Sequence, residues 1–322
     1  AAGRKVVYQP AAKVVHLEGG THGTDVGAGL KRYQELNRAK FVEKWAGVLA
    51  REQSSGPDHL FRARDRGQRR EVVLVVDHLV PAWDADAGSR LSYLYMRLLL
   101  QEGYRVCFAP MNYFPAQPHT RRLEALGIEV LHGHEYGARH SEWLARNGRH
   151  LHAVYLHRPH VAAAYLPHLQ EHAPQARLIY QCHDLHFLRE QRRHEAEGRK
   201  GTAPEAERWR AIEERVLAAV HVVHTPSVFE RDWIVEHFPG KTVRDVPIYF
   251  WDEMPIDGAP ADGGDLRARS GLLFVGGFRH PPNEDGITWF TREIWPLIRA
   301  AEPQTQLHLV GGHPNAEMRA LY

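Results

Sequence analysis

From residue 71 onward, short apolar runs alternate with longer stretches in which apolar residues recur at three- and four-residue steps. The runs at 72–76, 106–109, 128–131, 153–156, 178–180, 220–223 and 243–248 are rich in Val, Ile and Leu, as strands buried on both faces are. Most are separated by helix-length segments. The clearest opens at Gly88 and Ser89, carries the stripe Leu91, Leu94, Tyr95, Leu98 and Leu99, and stops at Gly103. Ser227 and Glu230 have the spacing of a capping box for a further helix that runs to Pro239-Gly240. This alternation predicts an α/β fold: a Rossmann-like, doubly wound parallel sheet with helices on both faces.

The flanks read differently. Residues 31–52 predict a helix whose apolar positions Leu30, Tyr33, Leu36, Phe41, Trp45, Val48 and Leu49 form one stripe that something must cover. Residues 1–55 are too short to close a core of their own, so they are expected either to pack on the main body or to belong to a separate domain, and 56–70, polar and Arg-rich after Ser54-Ser55-Gly56-Pro57, are expected to be a linker. The main domain is expected over 71–251, and a loop-rich connector with Pro255, Gly258, Pro260, Gly263 and Gly264 over 252–270. Residues 271–322 then open a second Rossmann-like domain: a strand at 272–275, a helix at 286–300 and a strand at 307–310. The chain starts with Ala1 in what reads as mid-strand, so the expectation is a fragment of a longer protein, truncated within its last domain.

Charge narrows the partners. Lys and Arg exceed Asp and Glu by 41 − 39 = 2, so no global field calls for nucleic acid, and membrane association is at most peripheral. Cys107 and Cys182 sit in separate apolar runs and read as core thiols of a reducing cytoplasm rather than a disulfide framework. No apolar stretch approaches the roughly 20 residues of a membrane span.

In open α/β sheets ligands bind beyond the carboxyl ends of the strands, so the residues just after each run are the candidates. The loop from Asp77 to Arg90 carries Asp84 and Asp86, a pair suited either to Mg²⁺ or to turns and a helix cap, followed by Gly88, Ser89 and Arg90, where small residues let backbone amides approach a ligand. After 178–180 come His183, Asp184, His186, Arg189 and Glu190, suited to acid–base or polar substrate contacts, or to a solvated helix start. Gly276, Gly277, Arg279 and Asn283 lie between a strand and a helix, suited either to the approach of a phosphate or to a plain tight turn, and Gly311-Gly312 ends the adjacent strand. His16 follows the short run near the start. Neither H-E-x-x-H nor C-x-x-C occurs, which argues against a zinc site.

Taken together, residues 71–322 resemble the GT-B glycosyltransferases of family 4 (glycosyl transferases group 1), through the Asp84–Arg90 loop, His183-Asp184-Leu185-His186 and the segment from Phe274 to Asn283. The resemblance implies a nucleotide-sugar donor, a glycan or lipid-linked saccharide acceptor, and transfer with retention in the biosynthesis of a cell-surface polysaccharide. It implies no cofactor for this part. On the same analogy Gly88 and Ser89 face the reacting sugar with Asp86 and Arg90 beside them. His183, Asp184 and His186 line the cleft as catalytic residues, while Gly276, Gly277, Arg279, Asn283, Gly311 and Gly312 surround the donor diphosphate. Residues 1–50 resemble the carboxyl end of a GT-A, family 2 glycosyltransferase, in which His16 completes a divalent site for Mg or Mn whose other ligands would precede Ala1. The paired-glutamate donor motif of family 4 would follow Tyr322, so the implied parent is a tandem transferase and this chain by itself is expected to be inactive. A GT-B-shaped sugar-nucleotide epimerase and a non-catalytic glycan-binding scaffold are the alternatives.

Overall fold

A computed structural model describes residues 12–15, 25, 27, 29–53, 60–63, 69–249, 269–278, 280–312, 314 and 316–319. The run Val72–Asp77 forms β1, and all six of its residues are buried, as a strand covered by helices on both faces requires. Further strands follow at Arg105–Pro110 (β2), Glu129–Val130 (β3), Leu151–His157 (β4), Arg177–Gln181 (β5), Val222–Thr225 (β6) and Thr242–Asp245 (β7). All pair in parallel in the order β3-β2-β1-β4-β5-β6-β7. The fold is thus α/β and Rossmann-like, with the strand order reversing direction between β1 and β4.

The helices are α1 (Arg32–Glu52), α2 (Leu60–Ala63), α3 (Ala87–Gln101), α4 (His119–Ala125), α5 (His134–Asn147), α6 (Pro159–His172), α7 (His186–Ala196), α8 (Pro204–Ala219) and α9 (Val228–His237). The period-2 alternation of β1 divides the core. Val73 and Val75 pack with Met96 of α3 and Leu123 of α4 on one face. Val72, Leu74 and Val76 pack with Leu144, Leu166, Val216 and Ile234 of α5, α6, α8 and α9 on the other. Where α5 gives way to β4, Gly148 lies so close to the carbonyl of His172 at the end of α6 that a Cβ would overlap it.

Several boundaries differ from expectation for local reasons. β6 begins at Val222 because Val220 still donates its N–H to Val216 and closes α8. β7 ends at Asp245, two residues before Pro247, which has no N–H to give a ladder. The capping box of α9 is half formed: Ser227 Oγ accepts from Glu230 N at 3.3 Å, but the Glu230 carboxylate turns away to Leu185 N and Thr225 Oγ1. Within residues 56–70, Phe61 is buried against Trp143 and His150, with the Arg105 guanidinium over its ring. The helix at 31–52 is present as α1, but the stripe expected to be covered is open, with Phe41 at 56% exposure. The strand expected near residue 5 lies outside the described residues. Both cysteines are free and buried.

A second, smaller unit follows: parallel strands β8 (Leu272–Val275) and β9 (Leu307–Val310). Between them lie α10 (Pro281–Trp289), a π-helical stretch Phe290–Ile294 and α11 (Trp295–Ala301), and α12 (Ala316–Arg319) comes after β9. The helix expected at 286–300 starts earlier, because Pro281 is pre-organised for a first helical turn. Phe278 and Ile287 form its small core with Phe274, Phe290 and Leu309.

Candidate functional site

Parallel register lines up residues at the carboxyl ends of four strands. Val76 pairs with Leu156, which brings Asp77 alongside His157; His157 pairs with Gln181, and Gln181 with His224. The result is a polar row across the carboxyl ends of β1, β4, β5 and β6, on the face covered by α3. Such a row at a strand-order reversal is where this fold class binds ligands.

Asp77 is its anchor. Its carboxylate accepts from His78 N at 2.7 Å, Arg158 Nε at 2.9 Å and Ser92 Oγ at 2.6 Å, and His78 Nδ1 lies 2.9 Å away. Burial by itself would raise the pKa of Asp77. The hydrogen bond from His78, the field of Arg158 and the hydrogen bond from Ser92 outweigh burial and hold the acid well below the ordinary carboxylate range. His157 adds no lasting charge, because burial pushes its own pKa down to about 4 and leaves it neutral at pH 7.

Arg158 follows β4 directly and caps α6 with φ 60° and ψ 137°, a backbone state costly for a residue with a side chain. Pro159 fixes the next φ, and the Arg158–Asp77 bond fixes the side chain. Nε is spent on Asp77, and the far end of the guanidinium reaches Gly88 at the start of α3: a Cβ on Gly88 would lie 3.1 Å from Nη2 and 3.9 Å from His183 Cε1. Gly88, Arg158 and His183 therefore converge on one point, open to solvent on the Arg158 side, which is 23% exposed.

His183 Nε2 lies 3.1 Å from His157 Nδ1, and burial followed by the proximity of His157 pushes its pKa down to about 3. It is neutral at pH 7. Two buried carboxylates of neighbouring helices hold the loop that carries it: Glu230 accepts from Leu185 N at 2.9 Å, and Glu213 from His186 N at 2.8 Å and Phe187 N at 3.0 Å. These are the orphan N–H groups at the start of α7, capped from outside the helix.

The other candidates are placed as follows. Asp86 is the cap of α3, accepting from Ser89 N at 2.8 Å and Ser89 Oγ at 2.6 Å, while Asp84 turns to His119 Nε2 at 2.7 Å. The two carboxylates thus have different partners, and the cap reading prevails over a shared cation. Arg90 lies 5.9 Å from the Tyr249 ring centroid. Asp184 pairs with Arg189 at 2.6 Å, and His186 Nδ1 lies 3.3 Å from Glu213, so of the three expected catalytic residues only His183 reaches the Gly88–Arg158 point. In the second unit a Cβ on Gly311 would overlap the Gly276 carbonyl, and one on Gly276 would lie 2.9 Å from Asn283 Nδ2. Those two glycines serve close packing between adjacent strand ends, and Asn283 donates to the Gly277 carbonyl at 3.0 Å. Gly277 and Gly312 face open space. Arg279 and His16 lie outside the described residues. Among the described residues no group of three His, Cys, Asp or Glu has the geometry to hold a metal ion, and no helix is long and apolar enough to cross a membrane.

Sequence reasoning missed Asp77 as an anchor, and also Ser92, His157, Arg158, Gln181 and His224. For Asp77, His157, Gln181 and His224 a signal was there, since each closes or nearly closes an apolar run at the same phase, in VVLVVD, AVYLHR, LIYQ and VVHT; Ser92 and Arg158 carried none.

No protein-family model matches the chain, and no curated protein does. Among solved structures the chain is similar to Phytolacca americana UGT2 complexed with UDP-2fluoro-glucose and pterostilbene, at 8% identity over 76% of this chain and 72% of that one, TM-score 0.46. It is also similar to a putative UDP-N-acetylglucosamine 2-epimerase from Listeria monocytogenes, at 13% identity over 78% and 65%, TM-score 0.41. A third is an alpha-glucosyltransferase in complex with UDP, at 10% identity over 78% and 60%, TM-score 0.37. The chain spans less than two thirds of the last two proteins. With every TM-score below 0.5, none of these likenesses assigns a reaction or a ligand to this chain.

Proposed function

We propose that this chain belongs to a glycosyltransferase that moves a sugar from a nucleotide-sugar donor to a glycan or lipid-linked saccharide, in cell-surface polysaccharide synthesis. The carrying observation is the Arg158 guanidinium, braced by Asp77 and delivered to the Gly88 backbone at the strand-order reversal. A cation fixed beside a helix start without a side chain in the way suits a diphosphate, whose developing charge on departure needs fixed donors. In this reading residues 71–251 supply the acceptor side and, through Arg158, one cation for the donor diphosphate, while the turns at Gly276-Gly277 and Gly311-Gly312 belong to the donor side.

The test is calorimetric titration of the native gene product with a panel of UDP, GDP and CMP sugars. Saturable binding of at least one, weakened at least tenfold in Arg158→Met, is the expected result. No saturable nucleotide effect would sink the reading and favour a non-catalytic scaffold; conversion of a donor without acceptor would favour an epimerase.

A further inference from the structure

The hydrogen-bond relay behind His183 decides which of its ring nitrogens carries the proton. Asp77 is ionised, so the 2.6 Å contact with Ser92 Oγ uses the one proton the serine has. Ser92 Oγ is then only an acceptor toward its other neighbours. One of these is His157 Nδ1, at 3.3 Å, which also lies 3.9 Å from Asp77 Oδ2 and 3.1 Å from His183 Nε2.

Two arrangements satisfy the contact between the histidines. If His157 holds its proton on Nε2, then Nδ1 sets a lone pair against the Ser92 lone pairs, and a fully buried N–H is left without an acceptor, because His157 Nε2 has no partner. Buried orphan N–H groups are rare and costly. If His157 holds its proton on Nδ1, that N–H is shared between Ser92 Oγ and His183 Nε2, and the unpartnered Nε2 is only a lone pair. The second arrangement removes the lone-pair clash and exchanges an orphan donor for a bare acceptor, the smaller cost.

We infer that the Asp77–Ser92–His157 relay fixes His183 as the Nδ1–H tautomer, so that His183 offers its ligand a hydrogen-bond donor and not a base. Its Nε2 lone pair is occupied by His157, and among the described residues no hydrogen bond engages Nδ1. Beside the Arg158 guanidinium, this makes the Gly88 point a pair of donors for one acceptor oxygen; naming that oxygen as part of a sugar nucleotide rests on the reading proposed above. Ser92 and His157 are positioning residues that act through His183.

Nitrogen-15 NMR of the labelled chain at neutral pH reads the tautomer directly from the ring nitrogens, with the His183 pair assigned by through-bond correlation from its own side chain. The expected result is protonated Nδ1 and bare Nε2 at both His157 and His183. Protonated Nε2 at His183 would overturn the inference. In Ser92→Ala the acceptor for His157 is gone, and the His183 population shifts toward Nε2–H; an unchanged tautomer would remove Ser92 from the relay. Should that variant fail to fold, the wild-type spectrum still decides. Nδ1–H at His183 without saturable nucleotide binding would keep the relay and remove the glycosyl-transfer reading, and the opposite pair of results would do the reverse.

Discussion

Replacing Asp77 by Asn keeps the shape of the anchor and removes its charge. Turning the new amide so that Nδ2 faces Ser92 leaves Oδ1 to accept from His78 and Arg158, so the loss is electrostatic rather than steric. Hydrogen bonds to a charged partner contribute about 1.5–3 kcal/mol against about 0.5–1.5 kcal/mol for neutral ones. With the bonds from His78, Arg158 and Ser92 affected, the gross loss is about 3 kcal/mol. Relief from no longer burying a carboxylate, and water reaching the partly exposed Arg158, reduce it to about 2 kcal/mol. Urea unfolding followed by intrinsic fluorescence measures it. Because the pKa of Asp77 is depressed in the fold, its stabilisation is complete above the unfolded carboxylate pKa and disappears only well below it, so the cost should be equal at pH 7 and pH 5. The double variant Asp77→Asn/Arg158→Met should lose less than the sum of the singles, since each partner strands the other. A loss under about 0.5 kcal/mol in Asp77→Asn, or strict additivity in the cycle, would refute the anchor.

Other outcomes follow from the same geometry. His157 is neutral in the fold with its pKa near 4 against 6.5 unfolded, so the unfolded chain binds more protons between those values and stability falls on acidification. By pH 5 that costs about 2 kcal/mol at about 1.4 kcal/mol per pH unit, and a flat urea midpoint from pH 7 to pH 5 would contradict it. Gly148→Ala forces the α5–α6 junction apart and should cost about 1–3 kcal/mol, read as a lowered thermal midpoint. Gly277→Val meets open space, so it should leave the midpoint alone while lowering the nucleotide-sugar affinity of the native gene product; unchanged affinity would take Gly277 out of the donor site.

How much of this was legible beforehand depended on whether local patterning or distant neighbours fixed the residue. The Val-rich runs and amphipathic stretches determined a parallel α/β sheet, because a strand buried on both faces has no other composition to choose from. The capping role of Asp86 was equally local, since it needs only the amide three residues on. The residues that converge are another matter. Asp77 and Arg158 are 81 positions apart, and only the crossover that sets β4 beside β1 makes them partners. His183 could be singled out by its neighbours in the chain, but its tautomer depends on Ser92 and His157, which arrive from a helix and a strand elsewhere in the sequence. Glu213, an ordinary helix glutamate in the sequence, and Glu230, which the sequence assigned to its own helix's capping box, became caps of another helix because α8 and α9 pack where α7 begins. Periodicity fixes which face of an element is buried; which charges meet across the sheet is set by strand order and register, and those belong to the tertiary structure alone.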